Sequence, residues 1–448
     1  MKLEELKNKK ILILGLGKEG KDTFEFLSKI FPGKIIGIAD QNPNCKLQAT
    51  DRKLKRVKWY LGKSYLKALK NYDVIIKSPG VPIHLPEVER AYKEEKITSQ
   101  TEIFLQNCKC KVVGITGTKG KSTTASLIYK VLKEGGLKVH LVGNIGKPVL
   151  NYLISQREDE IFVYELSSHQ LYNLKISPHV AVFLNIYPEH LDYYKDFKEY
   201  LMAKANITLW QRKNDFLIYN FKDKNVREIA KKTKAKKIPI KDYSKMLKDI
   251  GIKKIPFYGE FYGLNIACAI EVGKIFGVKK EKIKRAIEKF NPLPHRLEYV
   301  GKFKGIEFFN DSLSTIPQTT IFALKTLGER VQTLILGGYD RGLNFKELVK
   351  EVLKMKVKNL ILFPETGEKI WREILNQVKN GSELPKAILV QNMKDAVKTA
   401  FKITEKRRIC LLSPASPSFG IFKDYKERGD LFKKYVKYYG KKSCGEKS

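Results

Sequence analysis

Short apolar runs alternate with amphipathic stretches along most of the chain. Near the amino terminus, KILILGLG, GKIIGIAD and NYDVIIKSPG are predicted to be buried strands, and GKDTFEFLSKI has the spacing of a helix. A second series begins with KVVGITG near Lys111 and continues through KVHLVG, IFVYEL and VAVFLNI. Apolar strands separated by helices are typical of an α/β fold with a parallel sheet.

The segment NPLPHRLEYV interrupts this alternation with two closely spaced prolines, which is typical of a hinge. Before it, helices are predicted at Lys121–Lys133, at Phe197–Trp210, and over FYGLNIACAIEVGKIFGV and EKIKRAIEKF. After it, the strands GIEFFND, TLILGG, NLILFP, KAILVQN and RICLLSP restart the α/β pattern, and GKKSCGEKS is predicted to be a frayed tail.

We therefore predict an α/β protein of three domains. Residues 1–97 would form an N-terminal Rossmann-like domain, and residues 98–295 a central P-loop-type ATPase domain with a mostly parallel sheet. Residues 296–448 would form a C-terminal Rossmann-like domain.

The composition adds a strong positive charge. The formal net charge is +38, but the lysines are spread along the whole chain. No zinc finger, RNP-type aromatic strand or compact basic helix accompanies them, so we expect no nucleic-acid partner. We interpret the charge as solvated surface lysines whose field would attract anionic small substrates.

The sequence gives no sign of membrane insertion or secretion. No apolar run is long enough to cross a bilayer, and the first residues do not resemble a signal peptide. The six cysteines lack the paired spacing of a zinc site, so reduced thiols in a cytoplasmic protein are expected. These cysteines are Cys45, Cys108, Cys110, Cys268, Cys410 and Cys444.

The loop GTKGKST lies between a predicted strand and a predicted helix. In that setting, backbone N–H groups and the helix N-terminus favour phosphate binding. Lys121 would reach the terminal phosphates of a nucleotide, and the Ser122 hydroxyl would ligate Mg²⁺. Strict P-loop spacing would require a further glycine where Ile115 stands, so the loop is a variant of that motif.

A second glycine-rich loop, GLGKEG, follows the first strand. Gly15, Gly17 and Gly20 fit the dinucleotide fingerprint, and Asp40 stands at the end of the second strand. Such a loop serves either a nicotinamide cofactor or another nucleotide diphosphate. The stretch Ser78–Pro82 is a further small-residue loop at a strand end, which is either part of a site or an ordinary turn.

Polar side chains follow two neighbouring strands of the second series. Glu165 ends IFVYEL, whereas Asn185, His190 and Asp192 follow VAVFLNI. A carboxylate and an imidazole beside a phosphate loop can hold magnesium, and a histidine ligand would favour tolerance of Mn²⁺. Lys204 lies on the next helix. Burial near a metal would lower its pKa and allow its amine to form a carbamate with CO₂. Without such an environment, Lys204 is one lysine among many.

Two short motifs flank the second domain boundary. They are PHR, which ends at Arg296, and NDS, which contains Asp311. An arginine at a hinge can stabilise a transferring phosphoryl group, and a buried aspartate can pair with it or hold a ribose. Taken alone, a surface ion pair and a helix cap would be the preferred explanation of these residues.

Together these motifs resemble the Mur ligase family, the ATP-dependent amide ligases of peptidoglycan precursor synthesis. The pair ELSSHQL and LNIYPEHLD is specific to that group, and LLSPASPSFGIF is characteristic of it; GNIG and LGGYDRG also fit. Within the family, the chain is most similar to members that add glutamate to UDP-N-acetylmuramoyl-L-alanine. The resemblance implies a cytoplasmic monomer with three domains. The first would bind the UDP-sugar, the second ATP with Mg²⁺, and the third D-glutamate. The reaction would proceed through an acyl-phosphate intermediate.

The resemblance also implies roles for individual residues of the central domain. Catalysis would depend on Lys121, Lys204, His190 and Arg296. The metal would be held by Ser122, Glu165, His190 and a carbamylated Lys204. ATP would contact Gly117, Thr118, Lys119, Gly120, Lys121, Ser122, Thr123, Asn265, Arg296 and Asp311.

The other two substrates would be bound mainly by the outer domains. The UDP-sugar would contact Gly15, Leu16, Gly17, Lys18, Asp40, Ser78, Pro79, Gly80, Asn144, Ser167 and His190. The amino acid would contact Thr315, Arg341, Ser418 and Phe422.

Three features depart from the usual pattern of the family. Leu313 stands where many members have lysine, LSTIP replaces the common KATN, and Asn42 falls where some members have an arginine near the uracil. Leu313 adjoins the expected amino-acid and phosphate sites, so the handedness of the glutamate stays open. A relative that adds L-glutamate, or another Mur-type ligase, is the alternative.

Other function classes explain less of the sequence. A nicotinamide-dependent dehydrogenase would use GLGKEG but leaves the GKST loop unexplained. A nucleic-acid-binding ATPase would hydrolyse ATP in response to DNA or RNA with a steep salt dependence. A folylpolyglutamate-type ligase should lack a UDP-binding first domain, for which residues 1–97 are a candidate here.

Overall fold

The computed structural model describes residues 1–45, 56–190, 193–252, 261–378 and 383–441. Within these ranges the strands form three sheets, and the chain divides into two compact units. The first unit comprises residues 1–255 and 262–290 and holds two sheets; the second comprises residues 256–261 and 291–448 and holds the third. Asp192, Cys444 and residues 442–448 of the predicted tail lie outside the described residues.

The first sheet has five parallel strands in the order β3-β2-β1-β4-β5. The strands are β1 Ile11–Leu14, β2 Ile36–Asp40, β3 Val57–Leu61, β4 Val74–Lys77 and β5 Ile97–Thr98. The helices are α1 Leu3–Leu6, α2 Lys18–Ile30, α3 Pro86–Lys93 and α4 Gln100–Asn107, with a 3₁₀ segment at Gly62–Asn71. Strand order reverses between β1 and β4, and ligands bind α/β sheets at such a point. Both predicted loops of this domain, GLGKEG and SPG, begin there.

Two of the three glycines of GLGKEG, Gly15 and Gly20, are needed for close packing between the first strand and helix α2. Gly15 has φ +88°, which favours glycine. A Cβ atom on Gly20 would lie 2.2 Å from the carbonyl oxygen of Gly15, so the helix could not approach the loop this closely with any other residue. The fingerprint therefore reflects backbone geometry at the carboxyl end of β1.

The second sheet has six parallel strands in the order β11-β10-β9-β6-β8-β7. The strands are β6 Lys111–Thr116, β7 Lys138–Gly143, β8 Glu160–Glu165, β9 Val180–Phe183, β10 Phe216–Asn220 and β11 Lys236–Ile240. Its helices are α5 Lys121–Glu134, α6 Ser168–Leu171, α7 Phe197–Leu209, α8 Lys224–Lys232, α9 Tyr243–Ile250, α10 Phe261–Ile275 and α11 Lys280–Glu288, with a 3₁₀ turn at Leu150–Ile154. Because β6 lies between β8 and β9, the loops that follow these three strands meet at one edge.

One hydrophobic cluster extends from the first sheet into the second. At its centre, the ring of Phe104 on α4 lies 5.1 Å from that of Phe162 and 5.8 Å from that of Tyr164, both on β8. The hydroxyl of Tyr164 is hydrogen-bonded to Thr101 at 3.0 Å. The two sheets of this unit are therefore joined by a continuous core across residue 98.

The third sheet has the order β12-β13-β17-β14-β15-β16, and only the β12–β13 pair is antiparallel. The strands are β12 Glu298–Phe303, β13 Ile306–Asn310, β14 Val331–Gly338, β15 Asn359–Glu365, β16 Lys386–Leu389 and β17 Ile409–Leu412. The helices are α12 Pro317–Leu327, α13 Lys346–Lys354, α14 Thr366–Gln377, α15 Met393–Ile403 and α16 Tyr425–Lys441, with a 3₁₀ turn at Gly328–Arg330. The motifs NDS, LGGYDRG and SPASPSF follow β13, β14 and β17 at one edge.

None of the described helices is both long enough and apolar enough to span a membrane.

The close packing at Gly20 makes a testable prediction. Gly20→Ala should lower the melting temperature, because relieving an overlap with the Gly15 carbonyl costs about 1–3 kcal/mol and outweighs the helix propensity gained. Gly33→Ala is the matched control, since a Cβ atom there meets nothing within 4 Å. Thermal unfolding followed by circular dichroism would measure both; equal melting temperatures would contradict the packing argument.

Candidate active site

The glycine-rich loop of the central domain leads directly into helix α5. Gly120 caps the helix with φ +88°, and a Cβ atom there would lie 2.8 Å from Oδ1 of Asn265 on α10. Asn265 is completely buried, and neither its Oδ1 nor its Nδ2 atom has a protein partner among the described residues. Buried amides are rarely left without hydrogen bonds, so this side chain is suited to a ligand at the loop.

Two lysines converge on the carbonyl oxygen of Gly117. Lys121 Nζ lies 2.9 Å from this oxygen and Lys204 Nζ lies 3.0 Å from it, so the two ammonium groups are about 6 Å apart at most. Lys204 is only 2% exposed. Burial and the neighbouring charge of Lys121 lower the pKa of Lys204 well below its usual value. This surplus of positive charge favours an anionic ligand such as a phosphate.

The carboxylate of Glu165 is the second element of the site. It ends strand β8, is 3% exposed, and its Oε2 atom has no hydrogen-bond partner among the described residues. Its negative charge raises the pKa of Lys204, but this effect is smaller than the lowering caused by burial. A carboxylate oxygen without a protein donor fits a metal ligand.

The residues present fit magnesium as the expected ion. No group of three or more His, Cys, Asp or Glu suited to a metal occurs in the part of the chain that the structure describes. Magnesium is commonly held by one or two carboxylates, with waters and substrate phosphates completing its shell. Glu165 and Ser122 at the start of α5 would supply oxygen donors to such an arrangement, and their metal roles stay predictions.

His190 occupies the loop after β9 in an uncommon backbone conformation, with φ +59°. Its ring lies 4.9 Å from that of His169, and its Nε2 atom lies 3.8 Å from Glu189. Positive φ at a residue other than glycine often occurs at functional sites. Its predicted roles toward metal and sugar stay predictions.

Sequence reasoning did not assign three residues that hold the phosphate loop. Asn185 accepts a hydrogen bond from Lys119 N at 2.9 Å and donates one to Lys119 O at 3.0 Å. Glu189 forms an ion pair of 2.7 Å with the Lys119 side chain. The hydroxyl of Tyr200 lies 2.9 Å from that of Thr118. Only the position of Asn185 after an apolar strand signalled such a role.

Three of the predicted UDP-sugar residues of the first domain, Leu16, Gly17 and Asp40, line an open cavity of about 560 Å³. Asp40 organises it, because its carboxylate accepts hydrogen bonds from Leu16 N at 2.6 Å and from Asn42 N at 2.8 Å. The Ser78 hydroxyl donates to Gly15 O at 2.6 Å and so joins the two loops of the switch point. The cavity is lined by Leu16, Gly17, Lys21, Asp40, Asn42, Asn44 and Cys45.

Loops of the second sheet adjoin this site. Lys18 Nζ donates to Gly146 O at 2.8 Å, and Asn144 N donates to Glu165 O at 3.2 Å. Ser167 caps helix α6 in a capping box with Gln170. These contacts bring the predicted residues Lys18, Asn144 and Ser167 to the same edge as Glu165.

Gln170 also links the two sheets, because its Nε2 donates to Glu19 on α2 at 2.6 Å. Glu19 is half-buried, and desolvation of its carboxyl group raises its pKa to about 7 despite that hydrogen bond.

In the second unit, Asp311 is a buried structural centre. Its carboxylate accepts hydrogen bonds from Leu297 N at 3.0 Å and Ser413 Oγ at 2.8 Å, and Ser314 donates to it as well. Burial raises the pKa of Asp311 to about 6. Arg296 is half-buried in the preceding segment. The predicted ATP contacts of Asp311 and Arg296 stay predictions.

Arg428 on α16 is a buried residue that sequence reasoning missed. Its Nε and NH2 groups donate to the Ser312 side chain at 3.0 Å and to the Ser312 carbonyl at 2.9 Å, and NH1 donates to Ser416 O at 3.0 Å. Burial lowers the pKa of this guanidinium to about 9. Arg428 therefore fixes the NDS loop relative to the SPASPSF loop.

Three of the predicted amino-acid residues, Arg341, Ser418 and Phe422, gather around one turn of the second unit. Ser418 O accepts from Phe422 N at 3.0 Å, so these two share one turn. Arg341 lies over the ring of Phe419, 5.5 Å from its centroid. Thr315 is half-buried before α12.

Two stretches of the chain match models of known protein families. Residues 9–98 match the Mur ligase MurD-like N-terminal domain, and residues 115–258 match the Mur ligase middle domain. A UDP-N-acetylmuramoylalanine–D-glutamate ligase of Acetivibrio thermocellus is 33% identical to the chain, over 97% of each protein. The chain belongs to the Mur ligase family. A ligase of the same name from Clostridium kluyveri is 34% identical to this Mur ligase, over 96% of this chain and 97% of the relative.

Solved structures of Mur ligases share the fold. A MurF ligase from Thermotoga maritima in complex with ADP matches with a TM-score of 0.56 and 18% identity, over 97% of both chains. UDP-N-acetylmuramate-alanine ligase MurC from Thermotoga maritima matches with a TM-score of 0.54 and 16% identity, over 96% of this chain and 99% of that chain. The predicted family and the predicted three-domain α/β fold are thereby confirmed.

Replacing the buried Lys204 should stabilise the fold and abolish activity. Lys204→Met should raise the free energy of unfolding by about 1–4 kcal/mol, because it removes a desolvated charge near Lys121. The sign follows from linkage: a lysine whose folded pKa is lowered costs stability at every pH below its unfolded pKa. Urea unfolding of the ligand-free protein at pH 7 would measure the change, and an assay of phosphate release from ATP should detect no activity.

Lys198→Met on the same helix, α7, is the control, with little change expected in either quantity. Destabilisation by Lys204→Met would show that the buried ammonium is a net stabilising group and contradict the argument.

Proposed function

We propose that this Mur ligase joins D-glutamate to the carboxyl group of UDP-N-acetylmuramoyl-L-alanine with consumption of ATP. The observation that carries the proposal is the match along almost the whole chain to relatives named UDP-N-acetylmuramoylalanine–D-glutamate ligase. The reaction would contribute to peptidoglycan precursor synthesis in the cytoplasm. Because Leu313 stands where many members of the family have lysine, L-glutamate is the second candidate amino acid.

The chemistry explains why a phosphate site is required for making an amide. A carboxylate is a poor electrophile, because its charge repels the incoming amine and oxide is a poor leaving group. Transfer of the γ-phosphoryl group of ATP to the acceptor carboxylate forms an acyl phosphate and ADP. The glutamate amine then attacks the carbonyl carbon, loses a proton and displaces phosphate.

The residues around the GKST loop support the first of these steps. Phosphoryl transfer depends mainly on positioning and on neutralising charge. Main-chain N–H groups at the start of α5 and the ammonium of Lys121 would hold the β- and γ-phosphates. Asn265, which is buried and lacks a protein partner, would contact the nucleotide beside Gly120.

Glu165 and Ser122 would hold magnesium, which supplies additional positive charge at the phosphates. Lys204 is suited to carry a carbamate, because burial favours its neutral amine, the form that reacts with CO₂. A carbamate there would convert one of the two converging positive charges into a negative one. It would thereby provide oxygen atoms where Glu165 alone offers few.

Sugar and amino-acid recognition would use the loops at the other two sheet edges. The cavity around Asp40 is open enough for a nucleoside, and the loops from Gly15 and Ser78 would hold the diphosphate. In the second unit, Arg341 would bind a carboxylate of glutamate, and the turn from Ser418 to Phe422 would form the opposite wall. A monomer remains the expected form.

The acyl-phosphate route and the substrate identity can be tested together. Purified protein with ATP, Mg²⁺ and UDP-N-acetylmuramoyl-L-alanine should release phosphate with D-glutamate, and at least tenfold more slowly with L-glutamate. With ¹⁸O in the acceptor carboxylate, one labelled oxygen should appear in the phosphate, as measured by mass spectrometry. Unlabelled phosphate would eliminate the route, and faster turnover with L-glutamate would favour the second candidate.

Lys121 is expected to act on the phosphates without contributing to acceptor binding. Lys121→Ala should reduce turnover by at least a hundredfold, because it removes a charge positioned for the transferring group. Its affinity for the UDP-sugar, measured by calorimetry, should stay within twofold of the original. Lys133→Ala at the far end of the same helix is the control and should be fully active. Robust turnover in Lys121→Ala would refute its role.

A further inference from the structure

Tyr193 connects the loop after β4, which the proposed function assigns to the UDP-sugar, to the loop after β9, whose His190 is predicted to contact both the metal and the UDP-sugar. Its hydroxyl lies 2.9 Å from the carbonyl oxygen of Val81 and 3.2 Å from that of Pro79. Both carbonyls belong to the loop after β4, the expected diphosphate loop of the UDP-sugar. Tyr193 itself belongs to the loop after β9, which carries His190. One phenol group therefore spans the junction of the first and second sheets.

A buried lysine makes this contact directional. Lys77 is 5% exposed, and its Nζ donates to the Tyr193 hydroxyl and to Ser78 O, each at 3.2 Å. Because the ammonium group cannot accept, the hydroxyl must use a lone pair for Lys77 and direct its proton to the carbonyls of the loop. Lys77 thus orients the hydroxyl, and a buried ammonium group without such acceptors would be costly.

The other side of Tyr193 reaches the expected metal loop. Its backbone N–H donates to His190 O at 3.0 Å. Its ring lies 4.2 Å from the ring of His169, which in turn lies 4.9 Å from the ring of His190. A displacement of the Pro79–Val81 carbonyls would therefore be transmitted through a rigid aromatic group to both the backbone and the side chain of His190.

We propose that Tyr193 is a positioning residue that couples UDP-sugar binding at the loop after β4 to the His190 loop, and so to binding of the magnesium–nucleotide complex. This inference rests on the proposed function, because it uses the assigned substrates of both loops. Coupling of this kind is reciprocal: the acceptor would tighten nucleotide binding by the same factor by which the nucleotide tightens acceptor binding. It would favour assembly of the acceptor together with the phosphoryl donor.

Calorimetry with a non-hydrolysable ATP analogue and Mg²⁺ tests the coupling directly. Its affinity is measured with and without saturating UDP-N-acetylmuramoyl-L-alanine, and the ratio of the two is the coupling factor. In the unaltered protein we expect a factor of about 5–150, the usual range of allosteric coupling. In Tyr193→Phe, which keeps the ring but loses the hydroxyl, we expect a factor near one, with nucleotide affinity in the absence of acceptor within about twofold.

Two further variants separate coupling from general damage. Tyr172→Phe also removes a tyrosine hydroxyl from this unit, one hydrogen-bonded to Glu199 at 3.3 Å, and should keep the full factor. Lys77→Met should reduce the factor, and combining it with Tyr193→Phe should add little, because both act through one hydroxyl. Melting temperatures would show that each variant is folded.

The outcomes distinguish this inference from the proposed function. A coupling factor near one in the unaltered but active ligase, or an undiminished factor in Tyr193→Phe, would overturn the role of Tyr193 and leave the ligase assignment intact. Absence of amide synthesis by the unaltered protein would instead refute the proposed function. In steady-state assays, loss of coupling should raise the KM for the UDP-sugar at saturating nucleotide by about the coupling factor, whereas simple destabilisation would lower kcat alone.

Discussion

The convergence of two ammonium groups on the carbonyl oxygen of Gly117 is the constraint on which the central site depends. Lys121 is placed there by the first turn of α5, and Lys204 by the burial of α7 against the second sheet. Positive charges this close repel each other, and the interior offers little solvent to screen them. Burial and Lys121 accordingly lower the pKa of Lys204, while Glu189 and Glu165 act on it with the opposite charge. An anionic phosphate would relieve the remaining strain.

The same topological rule supplies every part of the proposed machinery. In the first sheet the strand order reverses between β1 and β4, and in all three sheets the loops that follow neighbouring parallel strands share the carboxyl edge. This edge carries GLGKEG and SPG in the first sheet, the GKST loop, Glu165 and Asn185 in the second, and NDS, GGYDRG and SPASPSF in the third. Three similar sheets thus present different loops for a sugar nucleotide, a phosphoryl donor and an amino acid.

Buried polar groups hold these loops in place at a cost in stability. Arg428 is completely buried, with its donors directed to Ser312 and Ser416, and Asp311 is enclosed by backbone and hydroxyl donors. Burying charged groups seldom stabilises a fold by itself, but fully bonded ones restrict loops to one arrangement. Tyr193 and Lys77 have the same character at the junction of the first two sheets. Rigid loops would hold the reacting groups in alignment, and this alignment lowers the barrier to reaction.

The sequence by itself determined the elements whose signals are local. Buried strands such as β1 and β6 appear as continuous apolar runs because both faces of a parallel sheet are covered, and GLGKEG and GKST follow from the backbone geometry that only glycine permits. The edge strands β3, β5, β11 and β12 were missed because they are very short or carry polar residues at exposed positions. The interior strand β10 was missed as well, although FLIYN is a short apolar run of the same kind as its neighbour β9. Only the tertiary structure decided that Lys204 is buried beside Lys121, that Arg428 joins two loops, and that Tyr193 reaches Val81. Each of these depends on contacts between residues distant in the chain, and no local pattern encodes which of 86 lysines and arginines will lose its water.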